Sequence, residues 1–262
     1  MSISSLILLR LIGVIKVNMK FYCGLHMINH SEEIDQAFIS VNRLWTRQKP
    51  VPCKDWILDS GAFTEISKFG KFRNSTTMYA AIIDRLHKEN GDHLKAVVSQ
   101  DYMCEDFILK KTNCSSFEHI EKTVERYFDL KSKIKSNVYL MPVLQGFTLD
   151  EYLYCASLYG DEIKNKWVGV GSVCKRNANP IEIYNILKGI KEKYPSVKIH
   201  GFGLKTTCLQ FKEIVNLLHT SDSMAWSFHA RKHNLGSNSV EEAKRFYNKI
   251  NDIIKDPPFS IF

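Results

Sequence analysis

Short apolar runs alternate along the chain with longer segments in which apolar residues recur at helical spacing among charged ones. The runs 21–25, 56–58, 95–99, 138–144, 167–170, 198–202 and 224–228 predict strands. Between them, 75–89, 116–135, 149–159, 180–193 and 207–218 predict helices, and 239–255 a last helix stopped by Pro257 and Pro258. Ser116 and Thr148, each with acids in the next turn, and Pro180 mark helix starts. Their side chains satisfy or tolerate the unpaired N–H groups there, and acids suit the positive end of the dipole. Strand–helix alternation at this pitch means parallel strands with crossover helices, an α/β chain. Seven or eight such units favour a single-domain (β/α)8 TIM-like barrel, a fold of about 250 residues, and the chain has 262. No repeat, low-complexity tract or Pro/Gly/Ser linker divides it.

Composition sharpens that picture at three points. A content of 44% hydrophobic and 24% charged residues excludes a disordered or fibrous chain. The seven cysteines are scattered, odd in number and never spaced CxxC, which argues against a disulfide framework or a zinc ribbon and fits a reducing cytoplasm. The net charge of +8 permits a polyanionic partner without requiring one. Residues 1–18 hold an apolar run broken by Arg10 and Lys16. It is shorter than the roughly 20 apolar residues of a bilayer span and lacks the small-residue cleavage site of a signal peptide. That extension reads either as an extra strand or helix packed on the domain, or as a segment upstream of a natural start at Met19. The barrel then occupies 19–262, with no membrane association.

In a parallel barrel the C-terminal ends of the strands share one rim, which carries the active site. Polar residues gather at those ends: Asp59-Ser60-Gly61, Gln100-Asp101, Gln145-Gly146, Gly169-Val170-Gly171-Ser172, Gly201-Phe202-Gly203 and Ser221-Asp222-Ser223. An aspartate after a strand is more often a turn or cap residue than a catalyst. The coincidence of three aspartates, a glutamine and two Gly-x-Gly turns at strand ends is what points to a site.

In their order along the chain these segments resemble a known family. Ile57-Leu-Asp-Ser-Gly-Ala-Phe63 resembles the Asp-Ser-Gly-Gly-Phe motif of tRNA-guanine transglycosylases, and Val143-Leu-Gln-Gly146 their Val-Gln-Gly turn. Val168-Gly-Val-Gly-Ser172 resembles their glycine-rich base-binding loop, and His200-Gly-Phe-Gly203 their later His-x-x-Gly-x-Gly segment. A nearer likeness is to the 7-deazapurine DNA transglycosylases of bacteria and their phages. It is carried by Phe21-Tyr-Cys-Gly-Leu-His26 and by Ser223-Met-Ala-Trp-Ser-Phe-His-Ala-Arg231. The likeness runs from about residue 20 to 231. One departure is large: the transfer-RNA enzymes carry a cysteine-rich zinc module after the nucleophile, and no cysteine follows Cys208. Neither zinc nor another metal or cofactor is therefore expected.

The resemblance implies exchange of guanine in DNA for a free 7-deazaguanine base of the preQ0 or preQ1 type. Two in-line displacements at C1′ retain configuration and need a covalent carboxylate, a role the resemblance gives to Asp222. Asp59 becomes the general acid and base. Asp101, Gln145, Gly146, Gly169, Gly171 and Ser60 become the base-binding set, with Phe63, Tyr102 and Phe202 as stacking candidates. A duplex base is inaccessible, so the guanine is flipped out or supplied single-stranded. Arg231, Lys232, Arg43, Lys205 and His26 are then the candidate nucleic-acid contacts, beside Arg47, Lys49 and His233. His229 reads as a core histidine. Other readings stay open at this level: a zinc-less tRNA transglycosylase, a non-catalytic guanine-reading barrel, or a hydrolase whose aspartates hold a divalent metal.

Overall fold

The computed structural model describes residues 19–262, so the 1–18 extension and its two readings lie outside the described residues. Nine strand segments, all parallel, make one sheet: β1 (Lys20–Leu25), β2 (Gln36–Ser40), β3 (Asp55–Asp59), β4 (Leu94–Val98), β5 (Leu140–Met141), β6 (Val143–Leu144), β7 (Trp167–Val170), β8 (Lys198–Gly201) and β9 (Leu218–Ser223). Their order is β5-β4-β3-β2-β1-β9-β8-β7-β6. The two ends of that row are consecutive in the chain, parted only by Pro142. On one side, Val97 N–H donates to the Tyr139 carbonyl and Ser99 N–H to that of Met141. On the other, Gly169 N–H donates to the Pro142 carbonyl and Gly171 N–H to that of Leu144. Residues 139–144 thus act as one strand that a proline, having no N–H, interrupts. The eight resulting strands form a TIM-like α/β barrel in a single domain.

Helices α1 (Ala62–Phe69), α2 (Thr76–Asn90), α3 (Asp106–Thr112), α4 (Ser116–Lys133), α5 (Leu149–Tyr159), α6 (Pro180–Lys193), α7 (Thr206–Leu209), α8 (Lys212–Leu217), α9 (Ala225–Lys232) and α10 (Val240–Lys255) follow the strands. Ser115 and Thr148 close capping boxes with Glu118 and Glu151, so the α4 cap stands one residue before the expected Ser116. Alternation on the strands sorts two cores. Outward residues such as Phe21, Ile39, Trp56, Leu58 and Val97 pack on the helices. Inward residues Tyr22, Phe38, Ile57, Ala96, Val98, Met141 and Val143 fill the barrel with Tyr139, Trp167 and Phe202. Among the described residues no helix is long and apolar enough to cross a membrane.

Three expectations are corrected. The strand expected at 224–228 is the start of α9, where Trp226, Ser227 and Ala230 bury one helical face. The strand itself is β9, whose sequence LHTSDS is polar because its inward residues serve the barrel mouth. The helix expected over 207–218 breaks into α7 and α8 and ends before Leu218. β2, α1 and α3 were not anticipated.

Candidate active site

Following the inward residues of each strand one step past the apolar filling leads to a cavity of about 640 Å³ at the C-terminal end of the barrel. Ser40 follows Phe38, Asp59 follows Ile57, Gln145 follows Val143 and Asp222 follows Thr220, each at the two-residue spacing of a strand. The apolar filling thus becomes a polar floor. Asp101, Glu105 and Ser172 reach the same cavity from the loops after β4 and β7.

Asp222 is held by one oxygen only. Its Oδ1 accepts the Gly203 N–H at 3.0 Å and lies 3.2 Å from His200 Nε2, while Oδ2 has no protein partner among the described residues. Gly203 has φ +65°, and a Cβ there would lie 2.9 Å from that of Cys174, so glycine suits the turn that brings its N–H to the carboxylate. His200 is fully buried, and its Nδ1 lies 2.8 Å from Thr220 Oγ1, which accepts the Trp167 indole N–H at 2.8 Å. An indole only donates and a carboxylate only accepts. In a neutral imidazole the order is therefore fixed: Trp167 to Thr220, the Thr220 hydroxyl to Nδ1, and Nε2–H to Asp222.

Two further carboxyls sit in unlike surroundings. Burial pushes Asp59 up to about 6, with the Asp222 charge adding, while the Ser40 hydroxyl and the Gly61 and Ser60 N–H groups pull it down. Gly61 N–H meets Asp59 Oδ2 at 3.1 Å. Asp101 is pushed to about 7, again mainly by burial, with the charges of Asp59 and Glu105 adding and the Gln145 amide opposing. Its Oδ2 accepts Gln145 Nε2 at 2.5 Å, and the Ser60 hydroxyl lies 3.4 Å from Oδ1. Gln145 Oε1 accepts the Ser172 hydroxyl at 2.9 Å, and Ser172 Oγ accepts the Cys104 N–H at 3.2 Å. These bonds make one chain of donors and acceptors along the cavity wall, suited to the polar edge of a flat heterocycle. Glu105, which the sequence did not single out, continues it: the residue is buried and its Oε2 has no hydrogen-bond partner.

The glycines divide. Gly171 lines the cavity, and a Cβ there would strike the Gln145 amide at 2.2 Å. Gly169 stands one layer deeper, where a Cβ would meet the Phe202 ring at 2.4 Å. Gly146 faces the backbone of Glu151 and Tyr152 in α5, not the cavity. Phe202 and Phe63 line the cavity, whereas Tyr102 packs beside it against Phe72 and His119.

Not all of the basic candidates lie around the mouth. Arg43 lines it; Lys205, Arg231 and Lys232 are exposed on the connections after β8 and β9. Arg47 and Lys49 are away from it, on the chain that returns to the start of β3 beside the C-terminal end of α2, with the Arg47 guanidinium turned to the carbonyls of Lys49 and Pro50. His26 lines the cavity, stacks on Trp226 and bonds Asn238 Oδ1 through Nε2 at 2.7 Å. His229 is not in the core, as expected from sequence, but exposed on α9 beside His233. Phe38, Ser40 and Asn42 come to the cavity from β2 and the turn after it, and were missed with that strand.

Among the described residues no three His, Cys, Asp or Glu side chains come together as a metal-holding group. No curated protein matches the chain. The family described as DeoxyPurine in DNA protein A matches residues 18–250, most of the barrel and every wall of its cavity, and the chain belongs to that family.

Proposed function

We propose that the chain is a pentosyltransferase that exchanges guanine in DNA for a free 7-deazaguanine base. Asp222 Oδ2 attacks C1′ of the deoxyribose, the glycosidic C–N bond breaks, and the Asp59 carboxyl gives its proton to the departing guanine. The incoming base then loses a proton to Asp59 and attacks C1′ while the Asp222 ester bond breaks. The two inversions retain configuration, and the proton ends where it began. Asp101 accepts the N1–H and exocyclic N–H of the guanine-like edge, a pair adenine does not offer, and Gln145 meets O6. The same groups read the outgoing and incoming bases.

The observation that carries this reading is the asymmetric Asp222. One oxygen is pinned by Gly203 and His200 and the other is open to the cavity that holds Asp59. A nucleophilic carboxylate needs one oxygen held and the other free to reach the sugar, and Asp222 meets that need beside the cavity. Membership of a family named for deoxypurines in DNA supports the substrate. The test is incorporation of labelled guanine into DNA. Wild type incorporates it, Asp222→Asn loses at least 10³-fold (about 4 kcal/mol of barrier), and transfer RNA is not labelled. Exchange that persists in Asp222→Asn, or that occurs on transfer RNA alone, overturns the proposal.

A further inference from the structure

Three phenylalanines stand in the open around the cavity mouth, each on a different connection at the C-terminal end of a strand. Phe63 follows β3, Phe107 follows β4 and Phe147 follows β6, and they are 54%, 48% and 38% exposed. A ring left this far in water forgoes the burial that a core position gives. All three are nonetheless held. Lys175 Nζ lies 5.1 Å from the ring centroids of both Phe63 and Phe107, and the Arg176 guanidinium lies 3.8 Å from that of Phe147. These are cation–π distances, and both cations belong to one 3-10 turn, Val173–Arg176, after β7. A single turn thus fastens rings from three other connections while leaving much of each ring in solvent.

The charge around them is available too. Arg176 is buried and ion-paired with Glu182. Lys175, Lys68, Lys110 and Lys111 are exposed and make no ion pair among the described residues. Lys110 and Lys111 stand three and four positions after Phe107 on α3, on its face of the helix. Open aromatic faces beside unpaired ammonium groups, around the mouth of a base-sized cavity, fit one class of ligand best. An unstacked base covers the ring while the phosphate next to it meets the cation. A closed duplex offers phosphates but no base faces, and an apolar protein surface gains nothing from the lysines.

We infer that this rim is a stacking platform for the nucleotides flanking the guanine, so that the chain binds DNA as a single-stranded or locally opened segment, with Phe63 and Phe107 each stacking a base. The inference rests on reading the cavity as a DNA site, and it is tested without guanine. The probe is labelled oligo(dT), with a duplex of equal length for comparison, followed by fluorescence anisotropy. Wild type binds oligo(dT) more tightly than the duplex. The double variant F63A/F107A loses about tenfold or more, within the range of one to two stacked bases. Phe128→Ala, an exposed ring late in α4, changes nothing. F63W/F107W keeps affinity, and oligo(dT) quenches its added tryptophan emission. A preference for duplex, or oligo(dT) binding indifferent to F63A/F107A at unchanged melting temperature, overturns the inference. Oligo(dT) behaving as described while labelled guanine is never incorporated sinks the proposed exchange and leaves the platform standing.

Discussion

His200 has no place in the cavity lining, yet it fixes which oxygen of Asp222 is bare. Its own orientation depends on Thr220 and, through it, on Trp167. His200→Gln is expected to lower exchange kcat by 10- to 100-fold while leaving KM for the free base within about twofold, because a mispositioned nucleophile affects the bond-making step. A purely structural role would instead lower melting temperature and leave kcat per folded molecule intact. Thr220→Val strips the half-buried indole N–H of its acceptor and the buried His200 Nδ1 of its partner, at a cost of about 1–3 kcal/mol of stability, read as a lower melting temperature.

Asp59 and Asp101 give the site its pH dependence. In the proposed exchange Asp59 holds the proton given to guanine, so kcat/KM is expected to fall as pH rises through about 6. Under the same proposal Asp101 accepts two N–H groups as a carboxylate, so the rate is also expected to fall below about 7. A narrow bell between those values is the expected profile, and a single-limbed one rejects it. The same shift acts on stability. A carboxyl whose pKa is higher folded than unfolded binds its proton better in the folded state. Its contribution is full below about 4, the unfolded value, and is lost as pH rises through about 7. Asp101→Asn should therefore raise the melting temperature by several degrees at pH 8 and leave it nearly unchanged at pH 4, while weakening guanine binding. Equal shifts at both pH values would show that burial of the charge is not the cause.

At the scale of elements, the wall is set by how closely strands and loops approach. Gly171→Ala drives a methyl into the Gln145 amide, and Gln145 joins Asp101 to Ser172. Base affinity is expected to drop at least tenfold, measured by titrating the free base, with little change in DNA affinity. Gly146→Ala strikes backbone in α5, so its effect belongs to melting temperature. What sequence could show follows the same division. The helices were legible because most carry amphipathic spacing and capping residues, and Pro180–Lys193 and Leu149–Tyr159 coincide with their expected bounds. β2 and β9 were not: QAFIS runs straight on into VNRLW with no glycine or proline to bound it, and LHTSDS spends its inward positions on Thr220 and Asp222. Asp59, Asp101, Gln145 and Asp222 were visible because each stands beside a turn or motif. Ser40, Asn42 and Glu105 had no such neighbour, and the part of His200 needed the distance to Asp222.

Across the whole molecule, cations without an ion-pair partner among the described residues stand at both ends of the barrel. At the starts of the strands, Lys95 and Lys20 pair with Asp55 at 3.1 and 3.7 Å, and Lys54 pairs with Asp35 at 2.9 Å. Around the C-terminal mouth, Arg43, Lys205, Arg231 and Lys232 make no ion pair among the described residues. Lys166 and Lys198, at the starts of β7 and β8, are exposed and make none either, so on a surface of net charge +8 the mouth is set apart by its cavity and not by free charge alone. A cation that touches a phosphate releases about 0.7 to 0.9 of a counterion, so each such contact adds nearly one to the slope of log Kd against log salt. Lys205→Met and Arg43→Met should each flatten that slope by about one and weaken binding alike for all sequences. Lys54→Met, at the far end, should leave the slope unchanged. If Lys54→Met flattens it as much as Lys205→Met does, DNA is drawn by overall charge and not by the end of the barrel that holds Asp222.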